Sequence, residues 1–268
     1  MSPGYSSRLR AAVKRLDRPG FVRARLAVHQ EAHTLSLAFP GRRAGLWPGF
    51  GEPFNGQDVR LRTVRRLIAL HDPDVFLETG TFFGFTTQFF LGQGAPVYSV
   101  EIRRSYHAVV RLRLGWGAPE LRLRRGHSLA VIAEMRGQRF TRPFIYLDAH
   151  WWADLPLARE VSHLLADETD VLIVIDDARV PHDDGYAHDI HDGVPLGITM
   201  VDLPDDACAA YPAGASDDET GARRGTLYLA RGQHAGAALQ AAVEAGLLRF
   251  ASPPEMLGDC PSRRARGR

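Results

Sequence analysis

The sequence predicts a doubly wound α/β domain on a mostly parallel sheet. Three observations point there. Five short apolar runs alternate with segments of helical period between Gln57 and Asp177. The runs are rich in Val, Ile, Leu and Phe and are bounded by helices, as in a sheet covered on both faces. The first run leads into a glycine-bearing turn and later ones end in carboxylates, at the edge where such sheets bind ligands.

The elements follow in order. Leu61, Val64, Leu67 and Ile68 recur at helical spacing, and Asp72-Pro73 stops that helix. DVFLE (74–78) is a strand and TTQFFLG starts the next helix. PVYSVE (96–101) is a strand and SYHAVVRLRLG a helix. ELRLRRG (120–126) is a weaker strand, followed by the helix SLAVIAEMRG. PFIYLD (143–148) is a strand, Leu157, Val161, Leu164 and Leu165 mark a helix, and DVLIVIDD (170–177) is a buried strand. Residues 178–223 are rich in Asp, Gly, Pro and His with little periodicity, and 181–223 is expected to be a lid. RGTLYLAR (224–231) is a late strand and a helix follows near Leu239–Leu247, so the sheet is expected to finish in an antiparallel edge.

The domain is expected to span 57–250. Before it, residues 1–56 read as an appendage of one or two short helices up to His33 and a loop dense in Gly and Pro. After it, 251–268 reads as a flexible basic tail. The sequence does not fix the oligomeric state, but the N-terminal helices and Trp47–Phe54 offer surfaces on which a second subunit could pack as a homodimer. The 268 residues are 45% hydrophobic, ample for a core. No run reaches the ~20 apolar residues of a membrane span, and the basic start lacks the apolar stretch of a secretory signal. Cys208 and Cys260 stand apart from other ligand-type residues, which argues against a zinc site or disulfide framework and for a reducing cytoplasm. A net charge of +2 gives no reason to expect nucleic acid.

The first strand ends in Glu78-Thr-Gly80-Thr-Phe-Phe-Gly84. Gly80 permits a tight turn with close backbone approach, and Gly84 lets a helix begin against a ligand. The second strand ends in Glu101, an acid placed to accept from ribose hydroxyls. A dinucleotide fingerprint would need glycine at 82 and 85, where Phe82 and Phe85 stand. Glu78 at the loop mouth would repel phosphates but can hold an ammonium. The pattern therefore favours a nucleoside cofactor without a pyrophosphate.

ETGTFFGFTT, SVE, GHS, YLDAH and IDD, in that order, resemble the motif series of the class I S-adenosylmethionine-dependent methyltransferases over roughly residues 55–232. FNGQ, YLDAHWWADLPL, IDDARVP, DGYAHD and ETGARRG are similar to those of a bacterial methyltransferase-like family related to the macrocin type of sugar O-methyltransferase. The resemblance implies a Rossmann-like, seven-stranded sheet. It also implies methyl transfer to a hydroxyl of a small molecule, such as a sugar or natural product. Glu78, Thr79, Gly80, Gly84 and Thr86 would surround the methionine end of S-adenosylmethionine, with Asp148 adjoining. Glu101 would hold the ribose, and His127 and Ser128 would lie near adenine. The usual aspartate of the adenine contact is His127 here, whose neutral imidazole could accept from the adenine amino group.

Asp148 ends the fourth strand, and Asp176 and Asp177 end the fifth. In a class I sheet these strands are neighbours, about 4.8 Å apart. Like charges so close raise one another's pKa unless a cation compensates. Three readings stay open. The carboxylates bind a hard ion such as Mg2+, as in the macrocin and catechol types, where the metal holds and acidifies the acceptor hydroxyl. They form a metal-free acidic site. Or they are structural, since successive strand residues point to opposite faces. His150 is a candidate general base beside an apolar wall of Trp151 and Trp152. The loop carrying His182, Asp183, Asp184, His188, Asp189, His191 and Asp192 could bind a transition metal or cover the acceptor. Tyr186 and Asp189 are candidate substrate contacts. Arg224 would bind a substrate carboxylate or salt-bridge the lid. A second class of function is a metal-dependent hydroxylase, like the cephalosporin hydroxylases in fold, with His150 and Asp148 as ligands. A third is a cofactor-binding protein without catalysis.

Overall fold

A computed structural model of the chain describes residues 48–115, 118–138, 140–150, 155–166, 170–252 and 255, all within one compact unit. The helices expected before His33, Trp47, Trp151, Trp152, Cys260 and the basic tail lie outside the described residues.

The strands are β1 Val75–Thr79, β2 Val97–Glu101, β3 Leu121–Arg125, β4 Pro143–Leu147, β5 Val171–Asp176, β6 Ile190–His191, β7 Val194–Pro195, β8 Cys208–Pro212, β9 Thr226–Arg231 and β10 Leu248–Phe250. The helices are α1 Asp58–His71, α2 Phe85–Leu91, α3 Arg104–Arg113, α4 Ser128–Arg136, α5 Leu157–Leu165 and α6 Gln233–Glu244. One sheet holds eight strands in the order β10-β8-β9-β5-β4-β1-β2-β3, and β6 and β7 form a separate ribbon. β1 to β5 are parallel, while β9 runs antiparallel to both β5 and β8. This is the doubly wound, Rossmann-like sheet of the class I methyltransferase type that the sequence predicts.

Two details differ. The sheet has eight strands rather than seven because β10 adds antiparallel to β8. The late strand β9 is interior rather than an edge, because β8 inserts beyond it. β8 arises inside the segment expected to be a lid. Its CAAYP sequence, mostly small residues, has too little hydrophobic contrast to announce a strand. Tyr186, Leu196, Ile198 and Val201 of the same segment are buried in the core, so it forms a wall of the domain.

Strand period places the side chains. Val75, Leu77, Ile145, Leu147, Ile173 and Ile175 pack with Val131 and Ile132 of α4 and Leu157 and Val161 of α5. Phe76, Phe144, Tyr146, Leu172 and Val174 pack with Val64 and Leu67 of α1, Phe90 of α2 and Leu239 of α6. Two apolar layers thus cover the central strands on both faces, while the edge strand β3 keeps Arg122 and Arg124 exposed. Extending the alternation to the strand ends puts Glu78, Tyr146 and Asp176 on the α1 side, and Thr79 and Asp177 on the α5 side.

Candidate active site

β1 pairs with β2 on one side and β4 on the other, so the connection order reverses between β1 and β4. The crevice at such a reversal is where this architecture takes ligands. Gly80 makes it possible. Its φ is +83°, and a Cβ there would lie 2.1 Å from the Asp148 carbonyl oxygen. Only glycine lets the loop after β1 rest on the end of β4. Gly84 serves a different contact: a Cβ there would meet Val110 and Leu114 at 3.1 Å, so it seats α2 against the α3 region. Phe82 holds a left-handed φ of +49°, and its N–H donates to Glu101 Oε2 at 2.9 Å.

The cleft is open to solvent, and the non-atom space within and at its mouth is about 430 Å³. Four acids line it, Glu52, Glu78, Asp148 and Asp176, together with the rings of Phe50, Phe82, Phe85 and Tyr146. Among the described residues no basic side chain lines it. Phe50 precedes α1 and packs edge-on against Phe82, Phe83 and Phe85, with centroids 5.8–6.4 Å away. Phe54 packs in the same way on Phe89, Phe90 and Tyr146. Phe50 and Phe54, two residues of the stretch expected to meet a second subunit, thus pack against rings of their own chain.

Glu78 is buried, and the hydroxyls of Thr87 and Ser99 both donate to its Oε2, the latter at 2.6 Å. Burial pushes its pKa up to about 7, against those two hydrogen bonds. Asp148 also sits well above the usual carboxylate range, first through burial and then through Asp176, Asp177 and Glu78. No described residue donates a hydrogen bond to its carboxyl; its backbone N–H bonds to the Thr79 carbonyl at 3.0 Å.

Asp176 is the opposite case. Its Oδ1 accepts from Arg60 Nη1 and, at 2.7 Å, from the Asp177 N–H. Its Oδ2 accepts from the Tyr146 hydroxyl at 2.5 Å and from Asn55 Nδ2 at 3.1 Å. Burial works against its ionisation, but Arg60, Tyr146 and the Asp177 N–H outweigh it and hold the pKa below the ordinary value. Asp177 points to the other layer and meets Arg224 Nε at 2.5 Å. Burial and Asp176 push Asp177 to about 7. Asp148 and Asp176 share the cleft while Asp177 turns to the other layer, and two guanidinium groups, Arg60 on Asp176 and Arg224 on Asp177, supply positive charge there. Among the described residues no His, Cys, Asp and Glu group is arranged to hold a metal.

The motifs FNGQ and ETGARRG, at opposite ends of the domain's sequence, clasp one another. Glu219 accepts from the Val59 and Arg60 N–H groups at 2.9 and 3.0 Å, satisfying orphan donors at the start of α1. Thr220 Oγ1 accepts from the Asp58 N–H at 2.9 Å. Gln57 donates to the Arg224 carbonyl at 3.0 Å and accepts from its N–H at 2.7 Å. Gly221 lies so close to Asn55 and Gly56 that a Cβ would come within 2.2 Å of backbone. The clasp sets Asn55 and Arg60 against Asp176.

The remaining expected residues divide. Thr86 lines the cleft, and its Oγ1 accepts from the Phe54 N–H at 3.3 Å. Thr79 is buried and does not line the cleft, because its side chain belongs to the opposite layer; it approaches Glu160 of α5 instead. Glu101 is 5% exposed, and its oxygens take the N–H groups of Phe82 and, at 2.7 Å, Arg103. Burial raises its pKa. His127 is the N-cap of α4, its Nδ1 accepting from Leu129 N at 3.4 Å, and Ser128 is buried in the first turn.

His150, Tyr186, Asp189 and Arg224 do not line the cleft. His150 does not face the cleft: it is 6% exposed, Nε2 bonds to the Leu147 carbonyl at 3.1 Å, and Nδ1 is buried without a partner. Burial lowers its pKa. Tyr186 is a core residue, its hydroxyl donating to the Gly214 carbonyl at 3.3 Å. Arg224 pairs with both Asp177 and Asp189, the second of its two expected roles, a salt bridge to the 181–223 segment. Within that loop Asp183 accepts from the Gly185 and Ser216 N–H groups at 2.9 and 2.6 Å, while His182 accepts from Arg249 Nε at 2.7 Å. The sequence reading passed over Tyr146, Thr87, Ser99, Asn55 and Arg60. Only Tyr146 carried a local signal, standing two residues before Asp148 and so on one face with it.

Sheet order and cleft together define a class I methyltransferase-type fold with an acid-lined crevice. No family model matches the chain, and no curated protein matches its sequence. Among solved structures, it is similar to an O-methyltransferase from Bacillus cereus in complex with SAH, at 15% identity and TM-score 0.49, over 77% of this chain and 89% of that one. It is similar to TomG from Streptomyces achromogenes, an O-methyltransferase of tomaymycin synthesis in complex with SAM, at 17% identity and TM-score 0.44, over 65% and 80%. A methyltransferase from Geobacter sulfurreducens is 16% identical with TM-score 0.45, over 85% and 96%. These likenesses concern the fold alone.

Proposed function

We propose that the chain is an S-adenosylmethionine-dependent methyltransferase acting on a hydroxyl of a small molecule, a sugar or polyol natural product. The observation that carries this is the charge of the cleft. Glu78 and Asp148 line it without a cationic partner, and no described basic side chain joins them. Such a site favours a ligand bearing positive charge and disfavours a pyrophosphate. S-adenosylmethionine fits: it supplies an electrophilic methyl group on a sulfonium and carries an ammonium. Glu78 would hold the ammonium, with the rings of Phe82 and Phe85 beside the cation. Glu101 would take the ribose on lone pairs left free by its two backbone donors.

Asp148 is the acid assigned to accept the acceptor's proton: it lines the cleft at the end of β4, and among the described residues none donates to its carboxyl. A cation in the cleft lowers its pKa and so readies it as a base. The residues' further contribution is alignment and exclusion of water. Assistance by Mg2+ does not fit this donor set, since every lone-pair site of Asp176 already has a donor. Iron-dependent oxygenation through His150 and Asp148 is not favoured, since His150 turns to the Leu147 carbonyl and no metal-holding group occurs among the described residues. Among the described residues no helix is long and apolar enough to cross a membrane.

Calorimetry with S-adenosylmethionine and S-adenosylhomocysteine tests the assignment, and absence of binding by both overturns it. Release of S-adenosylhomocysteine against a panel of sugars and polyols then reads turnover. Asp148→Asn should lower kcat by roughly 10²–10⁴, the scale of a general base, with S-adenosylhomocysteine affinity within about threefold of wild type. Wild-type turnover in that variant removes Asp148 from the mechanism.

A further inference from the structure

We infer that Arg60 is the resident cation of the carboxylate rim, occupying with its hydrogen-bonding companions the positions on Asp176 that a divalent ion would need. This deepens the proposed function, on which it rests for the identity of the cleft. A carboxylate offers about four lone-pair directions. On Asp176 they go to Arg60, the Asp177 N–H, Tyr146 and Asn55. All four present hydrogen toward the oxygens, so an approaching cation meets donors where it needs acceptors.

Arg60 cannot yield by losing its proton or by swinging away. Guanidinium stays protonated in proteins, and its planar fork fixes direction as a lysine ammonium would not. The Arg60 side chain is 2% exposed, and its Nη2 also donates to the carbonyls of Arg224 and, at 3.2 Å, Gly225. Its backbone N–H is held by Glu219 at 3.0 Å. The clasp between FNGQ and ETGARRG thus delivers a fixed positive charge to the end of β5. Arg60 acts through Asp176 as a positioning residue. It anchors the carboxylate that holds Tyr146 and Asn55 on the cleft wall, while Asp148 lines the same cleft with no donor on its carboxyl among the described residues. Removing a single partner from a buried ion pair leaves an uncompensated charge, and the rim of an Arg60 variant should seek another cation.

The test titrates Mn2+ into the full chain and follows free Mn2+ by electron paramagnetic resonance, with and without S-adenosylhomocysteine. Wild type should show no stoichiometric site in either condition. Arg60→Met keeps length and apolar bulk but removes the charge. It should gain one site per chain, at least roughly tenfold tighter than any wild-type binding. Adding Asp176→Asn should abolish that site. A purely structural arginine would not produce a new metal site on removal. A stoichiometric wild-type site that disappears in Asp176→Asn overturns the inference, and this arm needs no Arg60 variant to fold. An Arg60→Met protein with wild-type circular dichroism and no gain in Mn2+ binding overturns it equally. Calorimetry with S-adenosylhomocysteine on the same samples reads the cofactor assignment separately, so the two readings fail independently.

Discussion

Replacing Glu78 with glutamine removes a charge and keeps the shape, and the structure sizes both consequences. Burial lifts this carboxyl from an ordinary 4.5 to about 7, against the hydroxyls of Ser99 and Thr87. At about 1.36 kcal/mol per tenfold change in proton affinity, the difference corresponds to about 3 kcal/mol. Its sign follows from linkage. An acid with a raised folded pKa contributes stability that is fully present below its unfolded pKa and is lost as pH rises through the folded value. Without ligand, the wild-type protein should therefore lose up to about 3 kcal/mol at this group between pH 4.5 and a little above pH 7. Glu78→Gln has nothing to ionise there and should be the more stable protein at about pH 8. Binding moves the other way: loss of the charged acceptor should weaken S-adenosylmethionine by about 1.5–3 kcal/mol. Denaturant unfolding at about pH 5 and pH 8 measures the first effect, and calorimetry the second. Calorimetry in two buffers of different ionisation enthalpy adds a third reading. Wild type should release a proton on binding near pH 6.5, where the cation ionises Glu78, and that release should disappear in the variant. A variant that is less stable at high pH and binds S-adenosylmethionine as tightly as wild type refutes the reasoning.

Glu101→Gln should weaken S-adenosylhomocysteine by about 1.5–3 kcal/mol, since it keeps an acceptor for the Phe82 or Arg103 N–H but loses the charge facing the ribose. Unchanged affinity by calorimetry would remove Glu101 from the cofactor site. Gly80→Ala should destabilise the fold by at least about 2 kcal/mol, because a Cβ meets the Asp148 carbonyl at 2.1 Å and φ is +83°. A melting temperature within a degree or so of wild type would show that the loop does not rest on β4 as described.

Much of the domain was legible in order. Each of β1 to β5 and β9 falls within a residue or two of its apolar run, because two-residue alternation and burial are properties of a strand's own sequence. The turn at Gly80 and the acids Glu78, Glu101 and Asp148 were equally local. They sit at strand ends, and strand ends line one edge once the sheet is parallel. β8 and β10 were missed because CAAYP and LRF are too short or too uniform to show a period.

What tertiary structure alone decided was the partner of each charge. From the sequence, Asp148, Asp176 and Asp177 were three carboxylates in need of a cation, and Mg2+ was one answer. The folded chain brings Arg60, 116 residues from Asp176, onto its carboxylate and sets Arg224 on Asp177 and Asp189. Sequence spacing carries no record of such a pairing, since it depends on how β5, α1 and the segment before β9 meet at one corner of the sheet. Local backbone geometry fixes which face a side chain points to. Which charge it meets there is fixed by a contact across the chain, and that contact divides the acids of this rim between structure and chemistry.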